Sequence, residues 1–215
     1  MNEFVQKIEQ ELLPSLILIS NSPFDPVQVV SLPSPWKVIG CGNYAAVFGH
    51  PSFDHVVVKV YAVDIEGIKE EKKVYEQLGE HPSYSHLYAS GDTYLVLKKI
   101  KGITLYDAIH RGIYIPERII KDIEEGLSYA EKKGLRPHDV HGKNIMMDKE
   151  KGYIVDVSDF YKTDTCRKWK DLRKAYYKIY LPLFSKITLP VPYFMLNWIR
   201  KGYRLYRQYK KRKLC

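Results

Sequence analysis

The chain has 215 residues, 45% of them apolar and 27% charged, which suits one generous domain or two small lobes and argues against wholesale disorder. The net charge of +9 is lopsided: residues 172–215 hold 12 Lys or Arg and no acid, so residues 1–171 carry −3 and an anionic partner is to be sought at one end. Three scattered cysteines (Cys41, Cys166, Cys215), a start MNEFVQKIEQELL without a basic-then-apolar leader, and an apolar run ITLPVPYFMLNWI broken by two prolines argue against a disulfide framework, a secretory signal and a membrane span, so a reducing cytoplasm is the expected location.

In chain order, residues 3–13 read as a short helix and NSPFDPVQVVSLPSP as a proline-rich, mostly extended lead-in. WKVIG and YAAVFGH read as strands around a glycine-containing turn, and HVVVKVYA as a β-branched strand. Residues 64–79 predict a helix closed by Gly79, with Ile65, Ile68, Val74 and Leu78 roughly on one face. Short strands follow around Leu87–Ala89 and in TYLVLKKI. TLYDAIHRG and PERIIKDIEEGLSYAEKKG are helical, the second with proline at its start and Gly134 past its end. YIVDVSDF reads as a strand, and CRKWKDLRKAYYKIYL and PYFMLNWIRKGYRLYRQYKKRK as closing helices. The pattern is α+β, a β-rich half followed by a helical one, with a boundary near residues 98–103.

Three features carry chemistry. Two glycines one residue apart in GCGNYA allow close backbone approach to a phosphate, or simply make a hairpin; a dinucleotide-binding reading fails because a strand follows where that fold needs a helix. Lys59, inside VVVKV, either faces solvent or turns inward, and inward it needs a carboxylate from Glu70, Glu71 or Glu76. The stretch RPHDVHGKNIMMD places Asp139 five residues before Asn144, and Asp156 follows a dozen residues later. An aspartate after a turn can accept a hydroxyl proton, and an Asn with an Asp can supply hard oxygen ligands to Mg²⁺, though each alone is an ordinary turn former. Zinc at His138 and His141 would need further ligands, and only Cys166 offers itself.

In this order IGCGNYAAV, VVVKV, EEKKVYEQL, HDVHGKNIMMD and YIVDV resemble the protein-kinase fold, over about residues 36–180, and among its members the small bacterial serine/threonine-kinase-like proteins. The resemblance implies a bilobal architecture: an N-terminal helix and lead-in (1–35), a β-rich N-lobe with one helix (36–100), a trimmed helical C-lobe (101–190) and a basic C-terminal helix (191–215). It further implies that Ile39, Gly40, Cys41, Gly42, Asn43, Tyr44, Ala45, Ala46 and Val47 cover ATP, that Lys59 holds its phosphates and pairs with Glu71, that Asp139 is the catalytic base, and that Asn144 and Asp156 hold Mg²⁺. Asp159 is the second choice as metal ligand.

The sequence departs from the family pattern in several places. Ala45 stands for the third glycine, His138 for the usual Arg before the aspartate, and Val157-Ser158 for Phe-Gly. No Ala-Pro-Glu stretch appears, and little chain separates Phe160 from Trp169, so the peptide-docking platform is expected to be trimmed. His141 resembles the HGDLHPGN loop of aminoglycoside and choline kinases. The acceptor expected first is a protein Ser/Thr hydroxyl, with a small-molecule kinase and a non-catalytic nucleotide-binding module as alternatives. At the end of the chain, Arg200, Arg204, Arg207 and Lys211 recur at helical spacing beside Met195, Ile199, Tyr203 and Tyr206. A helix docked on the C-lobe with a solvated basic side is expected first, and attachment to an anionic membrane surface or to nucleic acid is the alternative.

Overall fold

The structure is a computed structural model that describes residues 1–149, 151–184 and 189–212. Cys215, the end of the KKRK run, the first residues of the 187–199 run and the side chains of Ile65 and Lys211 lie outside the described residues.

The first lobe is built on a strand that buries both faces. β5 (Val56–Tyr61) follows β3 (Lys37–Cys41) and β4 (Ala45–Gly49) and sits in an antiparallel sheet of order β3-β4-β5-β7-β6, with β6 at Leu87–Ser90 and β7 at Tyr94–Lys98. Side chains alternate across a strand, so VVVKVY sends Val56, Val58 and Val60 to one core and Val57 and Tyr61 to the other. A β-branched run with no polar alternation is the pattern a doubly covered strand needs.

What covers the outer face is the amino-terminal segment. Helix α1 (Asn2–Lys7) continues as a π-helical turn (Ile8–Leu12), and Phe4, Ile8 and Leu12 are buried with Ala46, Phe48, Val58, Val60 and Val96. The following chain pairs β1 (Ile17–Ile19) with β2 (Gln28–Ser31) as an antiparallel hairpin, so the stretch read as an extended lead-in contains one strand, paired with another just before it, and packs on the first lobe's outer core. Each fully buried side chain of this layer contributes about 1.5–3 kcal/mol.

The inner face is covered by α2 (Ile65–Leu78), where Ile68, Val74, Tyr75 and Leu78 are buried. Asp64 caps it, its side chain accepting the Gly67 N–H at 3.1 Å from a left-handed backbone (φ 66°). A Cβ at position 67 would meet the Asp64 carboxylate, so a side chain there would push the cap out of place. Gly79, at φ 61°, ends the helix.

The second lobe opens with β8 (Ile103–Thr104) and α3 (Leu105–His110), whose cap is the Thr104 hydroxyl accepting the Asp107 N–H. α4 (Glu117–Lys132) buries Ile119, Ile120, Ile123, Leu127 and Ala130. Its buried Asp122 carboxylate accepts the Gly152 N–H at 2.9 Å and fixes β10 (Lys151–Ile154), which pairs with β9 (Ile145–Asp148); β8 completes that small sheet. The lobes share the inner core, and Tyr84 OH donates to Gly126 O at 2.8 Å and Tyr129 OH to Leu78 O at 2.6 Å across the junction. α5 (Lys168–Ala175), a π-helical stretch (Tyr176–Tyr180), α6 (Leu181–Phe184) and α7 (Tyr193–Arg212) complete the chain.

α7 docks, but the apolar group expected to face inward is divided. Tyr203 turns inward beside Leu196, Asn197 and Arg207, whereas Met195, Ile199 and Tyr206 face solvent. The inner line is held by polar contacts: Tyr203 OH to Asp171 at 2.8 Å, Tyr106 OH to Asn197 at 2.8 Å, and Tyr193 OH to Asp107 at 2.9 Å.

Candidate active site

Lys59 is two residues from Val57 and from Tyr61, so strand alternation turns it to the inner face toward α2. Its ammonium meets both oxygens of Glu71, at 2.9 and 2.7 Å, and Asp156 Oδ1 at 3.4 Å. The Glu71 side chain is fully buried and that of Lys59 only 13% exposed, so the pair exists because each charge answers the other. Tyr61 OH also donates to Glu71, and its ring lies 5.3 Å from the ammonium.

Burial alone would lower the Lys59 pKa, but the Asp156 and Glu71 carboxylates hold it well above its ordinary value. Burial raises the Glu71 carboxyl against the pull of Lys59. Burial also works to raise Asp156, but Lys59 and the Ser158 N–H outweigh it and bring that carboxyl below its ordinary value.

The loop after α4 supplies the second half of the site. Asp139 sits in the left-handed region (φ 56°), a strained geometry for an aspartate. Its carboxylate touches Lys168 and lies 3.6 Å from His141 Nε2, while its backbone N–H points at Cys166 Sγ at 3.4 Å. Asn144 Nδ2 donates to Asp139 O at 3.2 Å, and Val155 N donates to Asn144 O at 3.0 Å, so the loop is laced to the strand leading into Asp156. That strand is shorter than the sequence suggests: β10 ends at Ile154. Asp156 Oδ1 accepts the Ser158 N–H at 3.1 Å, a local turn that draws the backbone out of the ladder.

The glycine-containing hairpin between β3 and β4 closes through Gly42 N donating to Ala45 O at 2.8 Å. A side chain at Gly40 would meet nothing within 4 Å, so packing gives no reason for glycine there and the backbone faces open space. The segment before β2 tethers the turn, Val27 N donating to Gly42 O at 2.8 Å and Asn43 Nδ2 to Pro23 O at 3.1 Å. Ile39 and Tyr44 are exposed, Ala45 and Ala46 are buried, and Val47 is half-buried in register with Lys59. Cys41 is exposed on β3.

The residues fit a divalent cation of the hard type. Asn144 spends its amide N–H on Asp139, leaving its side-chain carbonyl oxygen to a ligand, and Asp156 keeps Oδ2 while Oδ1 is engaged, with its side chain 36% exposed. Asp159 is instead taken by Lys162 at 2.7 Å and His138 at 3.6 Å. Among the described residues, no group of three or more His, Cys, Asp or Glu is placed to hold a metal, which leaves the two histidines without a zinc set. A cavity of 270 Å³ lined by Glu70, Gln77, Arg136 and Tyr161 among others contains none of Lys59, Asp139, Asn144 and Asp156.

Three contacts were not foreseen. Tyr61 was legible in principle, since it shares the face of Lys59 two residues on. Ser158 follows from the ordinary habit of aspartate to bind an N–H two residues ahead. Lys168 carried no signal, being one cation among many in a helical stretch.

A β-rich lobe whose strand lysine meets a helix carboxylate, joined to a helical lobe whose loop presents Asp139 and Asn144, is the α+β, bilobal protein-kinase-like fold. No family profile matches the chain. It is 32% identical over 199 residues, 91% of this chain and 90% of the other, to the Bacillus subtilis (strain 168) protein named "Putative serine/threonine-protein kinase YrzF". The chain belongs to that family of small bacterial serine/threonine-protein-kinase-like proteins. It is also similar, at 18% identity and a TM-score of 0.47 over 57% of each chain, to the crystal structure of a mutant of the Mycobacterium tuberculosis PknI kinase domain.

Proposed function

We propose that the protein transfers the γ-phosphoryl group of ATP, with Mg²⁺, to a Ser or Thr hydroxyl of a protein. The observation that carries this reading is Lys59 held between Glu71 and Asp156, with Asp156 tied through Val155 and Asn144 to the loop of Asp139. Lys59 would position the α- and β-phosphates, its charge secured by Glu71. Asn144 and Asp156 would hold the ion, which when bound supplies charge neutralisation at the phosphates. Asp139 would receive the proton of the attacking hydroxyl, with Lys168 and His141 fixing the direction of its carboxylate.

A small-molecule acceptor is the second reading, favoured by His141 beside Asp139 and by the absence of regular structure between Phe160 and Lys168. Incubation with γ-labelled ATP and Mg²⁺, with basic and acidic proteins beside hydroxylated metabolites, separates the two. Asp139→Asn is expected to cut transfer by about 10²–10⁴-fold, and Lys59→Ala to abolish detectable transfer. Transfer that survives both substitutions rejects the assignment.

A further inference from the structure

α7 is an amphipathic helix mounted with its polar side inward. Asn197, Tyr203 and Arg207 face the C-lobe, Tyr203 and Arg207 toward Asp171 at 2.8 and 3.9 Å, and among the described residues of the helix only Leu196 adds a buried apolar side chain. The opposite side carries Phe194, Met195, Trp198, Ile199, Leu205 and Tyr206, all exposed, with Trp198 at 70% and Leu205 at 65%. At 3.6 residues per turn these positions form one continuous stripe, and Phe194 and Trp198 meet edge to face at 5.8 Å. Single exposed apolar residues are normal on a protein surface, but a contiguous aromatic and aliphatic stripe along a 20-residue helix marks an interaction surface.

We propose that this outward stripe of α7 docks the protein on an anionic membrane surface. Three occupants compete, and charge separates them. Residues 172–215 hold 12 cations and no acid, so a second copy laid on the same face would bring two strongly basic ends together. Nucleic acid suits the charge but offers phosphates to Lys and Arg, leaving Trp198, Ile199 and Leu205 without a matching surface. An anionic bilayer takes both parts: Trp, Phe and Leu enter the boundary between headgroups and acyl chains, and the exposed Lys201, at the edge of the stripe, meets lipid phosphates within the field of the surrounding basic segment. The attachment is flat. No helix among the described residues is long and apolar enough to cross a membrane, whereas α7 lying in the plane spans about 30 Å.

The test is co-sedimentation of the full chain with vesicles of phosphatidylcholine alone and of phosphatidylcholine mixed with phosphatidylglycerol. Binding to the mixed vesicles is expected, weakened but not abolished by added salt because the apolar contribution is unscreened. Trp198→Asp combined with Leu205→Asp should lower the partition by at least about tenfold while leaving the thermal unfolding midpoint unchanged, since both side chains are exposed. Asp139→Asn should bind like the wild type, which keeps this result separate from the fate of the kinase reading. Absence of vesicle binding overturns the proposal, as does undiminished binding of the double variant. A concentration-dependent dimer that the same two substitutions dissolve would assign the face to a second copy and overturn it equally.

Discussion

The two terminal helices make opposite use of the same pattern. α1 and its π-helical continuation lay Phe4, Ile8 and Leu12 on the sheet and leave Glu3, Lys7 and Glu11 outward. α7 lays Asn197, Tyr203 and Arg207 on the C-lobe and leaves its aromatic stripe outward. The difference lies in what each helix meets. α1 meets the outer face of the sheet, where Phe48, Val58 and Val96 present an apolar surface. α7 meets Asp107, His110, Asp171 and Tyr106, which answer polar and cationic groups; the His110 and Tyr193 rings stack at 3.5 Å. A helix's periodicity fixes that it has two sides, and the surface beneath decides which one is buried.

The most severe test of that contrast pairs two phenylalanines. Phe4→Ala should cost about 3–5 kcal/mol, because a fully buried ring leaves a cavity that the sheet cannot close. Phe194→Ala, on the outward stripe, should stay within about 0.5 kcal/mol. Urea unfolding of the two variants side by side measures both. Equal losses would mean that α7 buries its stripe in solution and that the contrast is wrong.

A smaller effect is expected at the lysine. Glu71→Gln keeps the volume but leaves Lys59 with Asp156 as its sole carboxylate, at 3.4 Å, and should cost about 1.5–3 kcal/mol of stability. The sign of its pH dependence follows from Lys59. A raised folded pKa contributes stability that is complete below the ordinary lysine value and fades as pH rises through the folded one, so Lys59's share of the wild type's advantage persists across neutral pH, while the raised Glu71 carboxyl takes from that advantage as pH climbs above the ordinary glutamate value. A variant as stable as the wild type by urea midpoint would show that the buried pair is held by its surroundings rather than holding them.

Much of this was legible in the sequence because local rules and tertiary packing agree there. The β-branched run of β5, the proline before α4 and the glycine after α2 act within a few residues of themselves. The pairing of β1 with β2 was not legible, since a three-residue strand beside a proline-rich segment becomes a strand only through its partner. β8 and β9 are hidden for the same reason: two residues of β8 pair with β9, which carries the Ile-Met-Met of the polar loop. The candidate site divides similarly. The choice of Glu71 over Glu70 or Glu76 rests on the family resemblance, and its place between buried Ile68 and Tyr75 on the helix agrees with it, whereas Lys168 reaches Asp139 through the path of an irregular segment that no periodicity encodes.

That irregular segment also bears on regulation. Where most protein kinases carry an arginine before the loop aspartate, His138 lies between Asp159 at 3.6 Å and Asp164 at 3.3 Å, carboxylates supplied by the chain itself. The inner side of α7 is anchored in the same neighbourhood. Tyr203→Phe removes its hydrogen bond to Asp171 and should cost about 1 kcal/mol, read from the thermal midpoint. An unchanged midpoint would mean that the helix's other contacts, those of Asn197, Tyr193 and Arg207, keep it seated.

The smallest expected effect reports most directly on where α7 sits. Burial lowers the His141 pKa; Asp156 opposes this, and the Lys143 and Arg200 cations add to the lowering. Arg200 belongs to α7, so its influence at the loop exists only while the basic side of that helix faces inward. Because the folded value lies below the ordinary one, the unfolded chain binds more protons between the two. Stability from this group is therefore complete above about pH 6.5 and is lost as pH falls from there through the folded value. His50 and His81 are lowered too, chiefly by burial, so His141→Asn should remove part, not all, of the acid sensitivity that sets in below about pH 6.5. Arg200→Gln should raise the His141 pKa, visible as a higher midpoint in its ring-proton NMR titration, without touching His50 or His81. An unmoved His141 midpoint in that variant would place Arg200 away from the loop, and the helix would then have to be turned about its axis, apolar stripe inward.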